Sequence, residues 1–248
     1  MQMDLFRKIV DEVATLGSVY EVIITGLGET TLDRDLVERV RYVHSKAPNL
    51  DIWVFTNGSH MTTDLYDKLV EAGLSKLTFS LNANTEEQHE KVMKLKGTFD
   101  RTCKVIDYAI AHKPKDFTIF VDAVADGKNF TVRDMDLFFS RWGVWAVDGY
   151  GLVVGQGNWA DENCEAHPVR KQFKPNEWCS RSTGYIYVMY DGRVSACCFD
   201  PYGKLVFGDL NLQTLRDVYA SDAYVAFRKA HVEDRADEYD ICKNCTRA

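Results

Sequence analysis

The sequence predicts an α/β fold, a parallel sheet wound with helices, followed by a small α+β segment. Three observations predict it. Strand-type and helix-type patterns alternate over residues 18–154 with repeats of about 25 to 40 residues, the signature of parallel strands joined by right-handed crossovers. Polar or glycine-rich motifs stand directly after three of the strands, where parallel folds place ligands. From about residue 156 the alternation stops and short β-rich segments flank an Asp191-Gly192 turn signal.

The elements follow in order. Residues 4–16 read as a first helix. Residues 18–24 form a β-type run that ends in Thr25-Gly-Leu-Gly-Glu29. Residues 33–46 are helical, because Leu36, Val37, Val40 and Val43 recur at helical spacing between charges. The next strand, 51–55, ends in Thr56-Asn57-Gly58. Thr62 or Thr63 caps a helix that runs to Ala72 and stops at Gly73. In the strand 76–82, Leu77, Phe79 and Leu81 alternate. Helices at about 85–95 and 99–112, a strand at 117–124, a helix at 132–142 and a strand at 148–154 complete this part. Beyond a loop at 155–159, residues 184–190 and 193–199 read as a hairpin, and 211–220 and 223–231 as short helices. The organisation is therefore 1–155 followed by 156–248.

Composition narrows the function. Of 248 residues, 46% are hydrophobic, enough for a sizeable core. A net charge of -7 argues against a general nucleic-acid binder, which needs a basic face. The apolar runs are too short to span a membrane, and residues 1–11 carry Asp4, Arg7, Lys8 and Asp11 instead of a signal peptide's apolar stretch. The expectation is a soluble, cytoplasmic protein with no nucleic-acid or membrane partner.

Seven cysteines are unevenly placed. Cys103 and Cys164 stand alone, while Cys179, Cys197, Cys198, Cys242 and Cys245 crowd the C-terminal part. An odd count in a cytosolic setting points to metal binding or redox work, not a disulfide framework. The pattern is Cys179-x12-Gly192-x4-Cys197, then 44 residues, then Cys242-x2-Cys245. Four thiolates in a tetrahedral arrangement take zinc or iron–sulfur, and buried structural cysteines are the bland alternative. A 44-residue gap is unusual for a zinc ribbon. Gly192 permits the turn that presents Cys197, and Cys242-x2-Cys245 points two sulfurs at one centre.

This cysteine pattern resembles the C-terminal SPASM/twitch extension of radical S-adenosylmethionine (SAM) enzymes. The chain ends three residues after Cys245, so it is similar to the single-cluster twitch form. The resemblance implies that Cys179, Cys197, Cys242 and Cys245 hold one auxiliary [4Fe-4S] cluster, with Cys198 a bystander. Residues 1–155 resemble the radical SAM core, a partial (β/α) barrel. Gly26-Leu27-Gly28-Glu29 is similar to the family's Gly-Gly-Glu-Pro segment, whose backbone and acid hold the SAM amino group, with Thr30 in place of proline. A carboxylate accepts from an ammonium, and glycine lets the backbone approach a ligand. Ser80 and Asn82 fall where the family's strand contacts the SAM ribose, and Asn57 matches the terminus of the preceding strand. Residues 96–100 also resemble the family. Each motif has a plain reading as a turn or a cap; their order and spacing carry the likeness.

The departure lies at the start. The family's catalytic cluster is bound by Cys-x3-Cys-x2-Cys after the first strand, and no cysteine here precedes Cys103. The expectation is a radical SAM fold without its first strand and cluster loop, with an exposed sheet edge. Three explanations stand: a truncated product or mis-assigned start, a missing half supplied by a separate polypeptide, or a non-catalytic protein that keeps the auxiliary cluster. The resemblance implies an oxidoreductase-type reaction, in which a 5′-deoxyadenosyl radical abstracts hydrogen and the auxiliary cluster accepts an electron. It also implies SAM as cofactor, a flavodoxin or ferredoxin as electron donor, and a peptide or small molecule as substrate. An iron–sulfur electron-transfer protein and a zinc-stabilised α/β protein are the alternatives. No catalytic side chain is named. Trp159, Asp122 and Asn129 read as packing or loop residues near the rim, and His60, His112 and His167 as surface or capping residues.

Overall fold

The computed structural model of the chain describes residues 1–125, 130–142, 149–154 and 179–243. Trp159, Asn129, His167, Cys164 and Cys245 lie outside the described residues. The chain divides into two compact units: Leu16–Val154, and Met1–Thr15 together with Gly155–Ala248.

In the first unit the strands β1 (Glu21–Ile24), β2 (Asp51–Thr56), β3 (Lys76–Ser80), β4 (Thr118–Ala125) and β5 (Gly149–Val154) form one sheet in strictly sequential order. Every pair is parallel, with Ile24 opposite Val54, Thr56 opposite Phe79 and Ser80 opposite Asp122. The helices α2 (Leu36–Lys46), α3 (Thr63–Glu71), α4 (Glu86–Met93), α5 (Phe99–His112) and α6 (Val132–Trp142) lie in the crossovers. Right-handed crossovers in an order that never reverses put all helices on one sheet face, the winding of a barrel segment.

Burial follows that winding. Ile52, Val54, Leu77, Phe79, Ile119, Val121 and Ala123 alternate along their strands and are fully buried on one face. Leu36, Val40 and Val43 of α2, and Leu69 of α3, are buried with them. Each of the Val, Ile, Leu and Phe side chains contributes roughly 1.5–3 kcal/mol on burial. The other face carries half-buried Trp53, Phe55 and Phe120, with Trp53 Nε1 donating to Thr78 Oγ1 at 2.8 Å. Among the described residues β1 pairs only with β2, and its four residues are half-exposed.

Boundaries shift for identifiable reasons. Helix α2 begins at Leu36, not 33, because Asp33 is drawn into side-chain work: it accepts from Asp35 N at 3.0 Å and from Arg39 Nε at 2.8 Å. A short 3-10 turn, Thr30–Leu32, precedes it. Thr62, not Thr63, caps α3, accepting from Leu65 N at 3.0 Å. Thr85 caps α4, accepting from Gln88 N.

The second unit holds α1 (Met3–Val13), α7 (Ser180–Gly184), the antiparallel strands β6 (Tyr187–Val188), β7 (Arg193–Ser195) and β8 (Val206–Asp209), then α8 (Leu215–Ala220), α9 (Asp222–Val232) and α10 (Asp240–Lys243). The first helix thus packs with the C-terminal residues. Lys8 Nζ donates to the carbonyls of Leu210 at 2.5 Å and Gln213 at 2.8 Å, and Glu12 accepts from Leu215 N at 2.5 Å. A carboxylate there satisfies an otherwise open donor at the start of α8. The β6–β7 turn depends on Gly192, whose φ is +95° and whose Cβ would meet Asn211 Nδ2 at 2.5 Å and Leu5 at 2.9 Å.

Candidate functional site

Two groups of residues take shape, one in each unit. The first lies at the C-terminal ends of the parallel strands. Glu29, after β1, reaches the end of β2, where its Oε2 accepts from Asn57 N at 2.7 Å. Its Oε1 accepts from Thr31 N at 3.0 Å, Thr31 Oγ1 at 2.5 Å and Thr56 Oγ1. Four hydrogen bonds leave Oε2 with one acceptor site. Thr56 Oγ1 in turn accepts from Gly58 N at 2.9 Å, and Asn57 Oδ1 from Ser59 N at 2.9 Å. Gly58 has φ +75°, and a Cβ there would lie 2.5 Å from Thr102 Cγ2, so only glycine closes this turn. Gly26 and Gly28 sit in the exposed turn before Glu29 with open space where a Cβ would be.

Asn82, two residues after β3, lies in the left-handed region, φ +56°. Its Oδ1 accepts from Val124 N at 2.7 Å, and its Nδ2 donates to Ser80 O at 3.3 Å and Met93 Sδ at 3.2 Å. The structure therefore joins Glu29 to Asn57, and Asn82 to Ser80, as two stitches along one rim. Ser80 and Asp122 are register partners at the end of β3 and within β4. Thr31, Glu29's closest helper, escaped the sequence reading, since nothing in an isolated threonine marks it as a partner two residues away.

The second group is the cysteines. Cys179 precedes α7, and its carbonyl accepts from Ser182 N at 3.2 Å and Ser182 Oγ at 2.9 Å. Cys197 follows β7 at the head of a turn held by buried Asp200, which accepts from Lys204 N at 2.7 Å and Leu205 N at 2.9 Å. Cys242 lies in α10, 8% exposed, with Sγ 3.5 Å from His231 Nε2. Cys179, Cys197 and Cys242 line one cavity, together with Arg181, Phe199, Phe227 and His231. Cys198 is exposed, and burial first, then the Cys198 and Cys197 thiols, raise the Tyr187 pKa. Burial pushes Tyr224, which stacks on Phe207, up to about 12. The Arg181 guanidinium stacks over Phe199 at 4.7 Å. Arg181 and His231 were not singled out by the sequence, because an arginine in a short helix and a histidine at a helix end carry no spacing signal.

The donor set fits an iron–sulfur cluster. Three soft thiolates from three elements surround one largely apolar cavity, the environment that thiolate-ligated clusters require. Among the described residues no three His, Cys, Asp or Glu side chains stand close enough to grip one ion.

Comparison with known proteins agrees. Residues 179–246 match the SPASM iron–sulfur cluster-binding domain. The chain is 22% identical over 245 residues to the S-adenosyl-L-methionine-dependent 2-deoxy-scyllo-inosamine dehydrogenase of Niallia circulans, covering 99% of this chain and 80% of that protein. It is 27% identical over 161 residues to the AdoMet-dependent heme synthase of Methanosarcina barkeri (strain Fusaro), covering 64% of this chain and 44% of that one, so it spans less than half of that relative's length. The crystal structure of BtrN in complex with AdoMet and 2-DOIA shares the fold, with a TM-score of 0.62 and 19% identity over 99% of this chain and 80% of that chain. No described helix is long and apolar enough to cross a membrane. The model of the radical SAM superfamily matches residues 1–128, and the chain belongs to that superfamily, with an iron–sulfur cluster and SAM as its cofactors.

Proposed function

We propose that the chain forms the SAM-holding and auxiliary-cluster parts of a radical SAM oxidoreductase that dehydrogenates a small substrate. The observation that carries this reading is the convergence of Cys179, Cys197 and Cys242 on one cavity in a chain whose sheet has radical SAM winding. The likeness to a SAM-dependent dehydrogenase over nearly the whole chain supports the reaction type. When bound, SAM with its own cluster supplies a 5′-deoxyadenosyl radical that removes a substrate hydrogen, and the auxiliary cluster supplies an acceptor for the electron left behind.

The chain's own residues do the holding. Gly26 and Gly28 leave the backbone open to a ligand, and Glu29 Oε2 keeps an acceptor site for the SAM ammonium. Asn57, Ser80 and Asn82 would contact the SAM ribose along that rim. Cys179, Cys197, Cys242 and Cys245 hold the auxiliary cluster, and four thiolate ligands leave no iron open for substrate, which suits an electron acceptor. Arg181 and the aromatic wall exclude water and offset the charge of the thiolates. No Cys-x3-Cys-x2-Cys occurs in these 248 residues, so the SAM-cleaving cluster belongs to a segment other than this one. A flavodoxin or ferredoxin would supply the reducing electron.

The test is anaerobic reconstitution with iron and sulfide. About four irons per chain are expected for a cluster of this type. 5′-Deoxyadenosine is expected once a Cys-x3-Cys-x2-Cys segment is joined ahead of residue 1 or added as a second polypeptide. Full iron loading without SAM cleavage in either format would favour an electron-transfer protein. Zinc in place of iron, with no iron uptake, would defeat both.

A further inference from the structure

We propose that His231 donates a hydrogen bond to the Cys242 sulfur and thereby sets the reduction potential of the auxiliary cluster, an inference that rests on Cys242 being one of its ligands. The imidazole Nε2 stands 3.5 Å from Sγ, and the two side chains are 4% and 8% exposed. At this burial water does not compete for the contact, so the bond acts at full strength. A metal-bound thiolate carries no proton and can only accept, which assigns the hydrogen to Nε2.

The ring is held for this role. Phe227 and His231 lie four residues apart on α9, so they share a face. Phe227 meets His231 edge-on, centroids 4.6 Å apart at 69°, and is itself met by Tyr239 at 4.9 Å and 86°. Tyr239 also accepts from Cys242 N at 2.8 Å through its carbonyl. One packed cluster therefore fixes both donor and acceptor. Adding an electron to a cluster increases the negative charge on its sulfurs. A donor aimed at one of them stabilises the reduced form more than the oxidised form and raises the potential. His231 is a positioning residue in this scheme, and an electron acceptor needs such a bias.

The experiment uses the reconstituted full chain, with EPR-monitored redox titration and iron analysis. His231→Leu should keep its iron but lower the reduction equilibrium about tenfold, which is ~59 mV more negative for one electron. His231→Gln, which retains an N–H donor, should lie within about threefold of wild type in that equilibrium. Pulsed EPR of the wild type carrying 15N-histidine should show a nitrogen coupling to the reduced cluster, a readout that does not depend on any variant folding. Retention of iron by Cys242→Ala would defeat the ligand assignment itself. Loss of iron there, with an unchanged potential in His231→Leu or with no 15N coupling in the wild type, would overturn this inference alone.

Discussion

The rim of the parallel sheet and the cysteine cavity are built on opposite principles. At the rim, each candidate residue is already bonded to its neighbour: Glu29 to Thr31, Thr56 and Asn57, and Asn82 to Val124 and Ser80. These bonds span strand ends whose spacing the sheet fixes, so the rim is ordered by the fold alone. In the cavity, Cys179, Cys197 and Cys242 come from α7's start, the loop after β7 and α10, and no disulfide ties one of these three to another. On the proposed reading, their common partner is the cluster. Metal binding and local folding are then one equilibrium, and its free energy is large, about 10–16 kcal/mol for comparable structural zinc sites.

The largest expected effect breaks this contrast directly. Stripping iron from the loaded chain with a chelator and mild oxidant should expose residues 179–243 to proteolysis and amide exchange, while β1 to β4 keep their protection. The same pattern should follow Cys242→Ala, with iron falling from about four per chain to near zero. Equal loss of protection in both units would mean that the rim also depends on the cluster.

Glu29→Gln is next and tests the rim's independence. A glutamine has one carbonyl oxygen, so either Asn57 N or the three donors on the other side face an amide NH2. Hydrogen bonds to charged groups contribute about 1.5–3 kcal/mol each, and the site is half-buried, so about 2 kcal/mol of stability should be lost. Urea unfolding of the reconstituted chain checks this, and iron content should not change.

Why the rim was legible in the sequence and the cavity's walls were not follows from range. The alternation of Ile52, Val54, Leu77 and Phe79 writes the strands into the sequence at period two, and Thr62 and Gly73 mark a helix's ends within ten residues or so. Motifs after strands inherit their place from the strands, so Glu29, Asn57, Ser80 and Asn82 could be named early. The cysteines were legible because thiolates at Cys-x2-Cys spacing have few other uses. His231, Arg181 and the docking of α1 through Lys8 and Glu12 were not, because they are set by contacts between segments up to about two hundred residues apart. The start of α2 was misplaced for a related reason: the Asp33 carboxylate pairs with Arg39, half-buried against the helix it would otherwise have begun.

A smaller effect separates the rim's hydrogen bonds from its backbone geometry. Asn82 supplies both, since it bonds Val124 N and sits at φ +56°. Asn82→Ala should cost about 2 kcal/mol, roughly one for the left-handed conformation and one for the bond. Asn82→Gly keeps the conformation and should cost only about 1 kcal/mol. Chemical denaturation of the two variants side by side reads the difference.

The smallest effect concerns the thiol of the sheet unit, Cys103. Cys103 lies on α5, and burial, its largest influence, pushes its pKa from 9.0 up to about 11 against the pull of Arg141. A group whose folded pKa is raised stabilises the fold fully below its unfolded pKa and loses that contribution as pH climbs through the folded value. Wild type should therefore lose stability relative to Cys103→Ala between pH 9 and about 11, by no more than about 1 kcal/mol once solvent screening is allowed for. Alkylation should follow the same order: exposed Cys198 reacts first at neutral pH, and Cys103 reacts only at high pH. Rapid labelling of Cys103 near neutrality would mean that the sheet unit opens locally more often than its packing implies, and the contrast between a self-ordered rim and a cluster-ordered cavity would lose its basis.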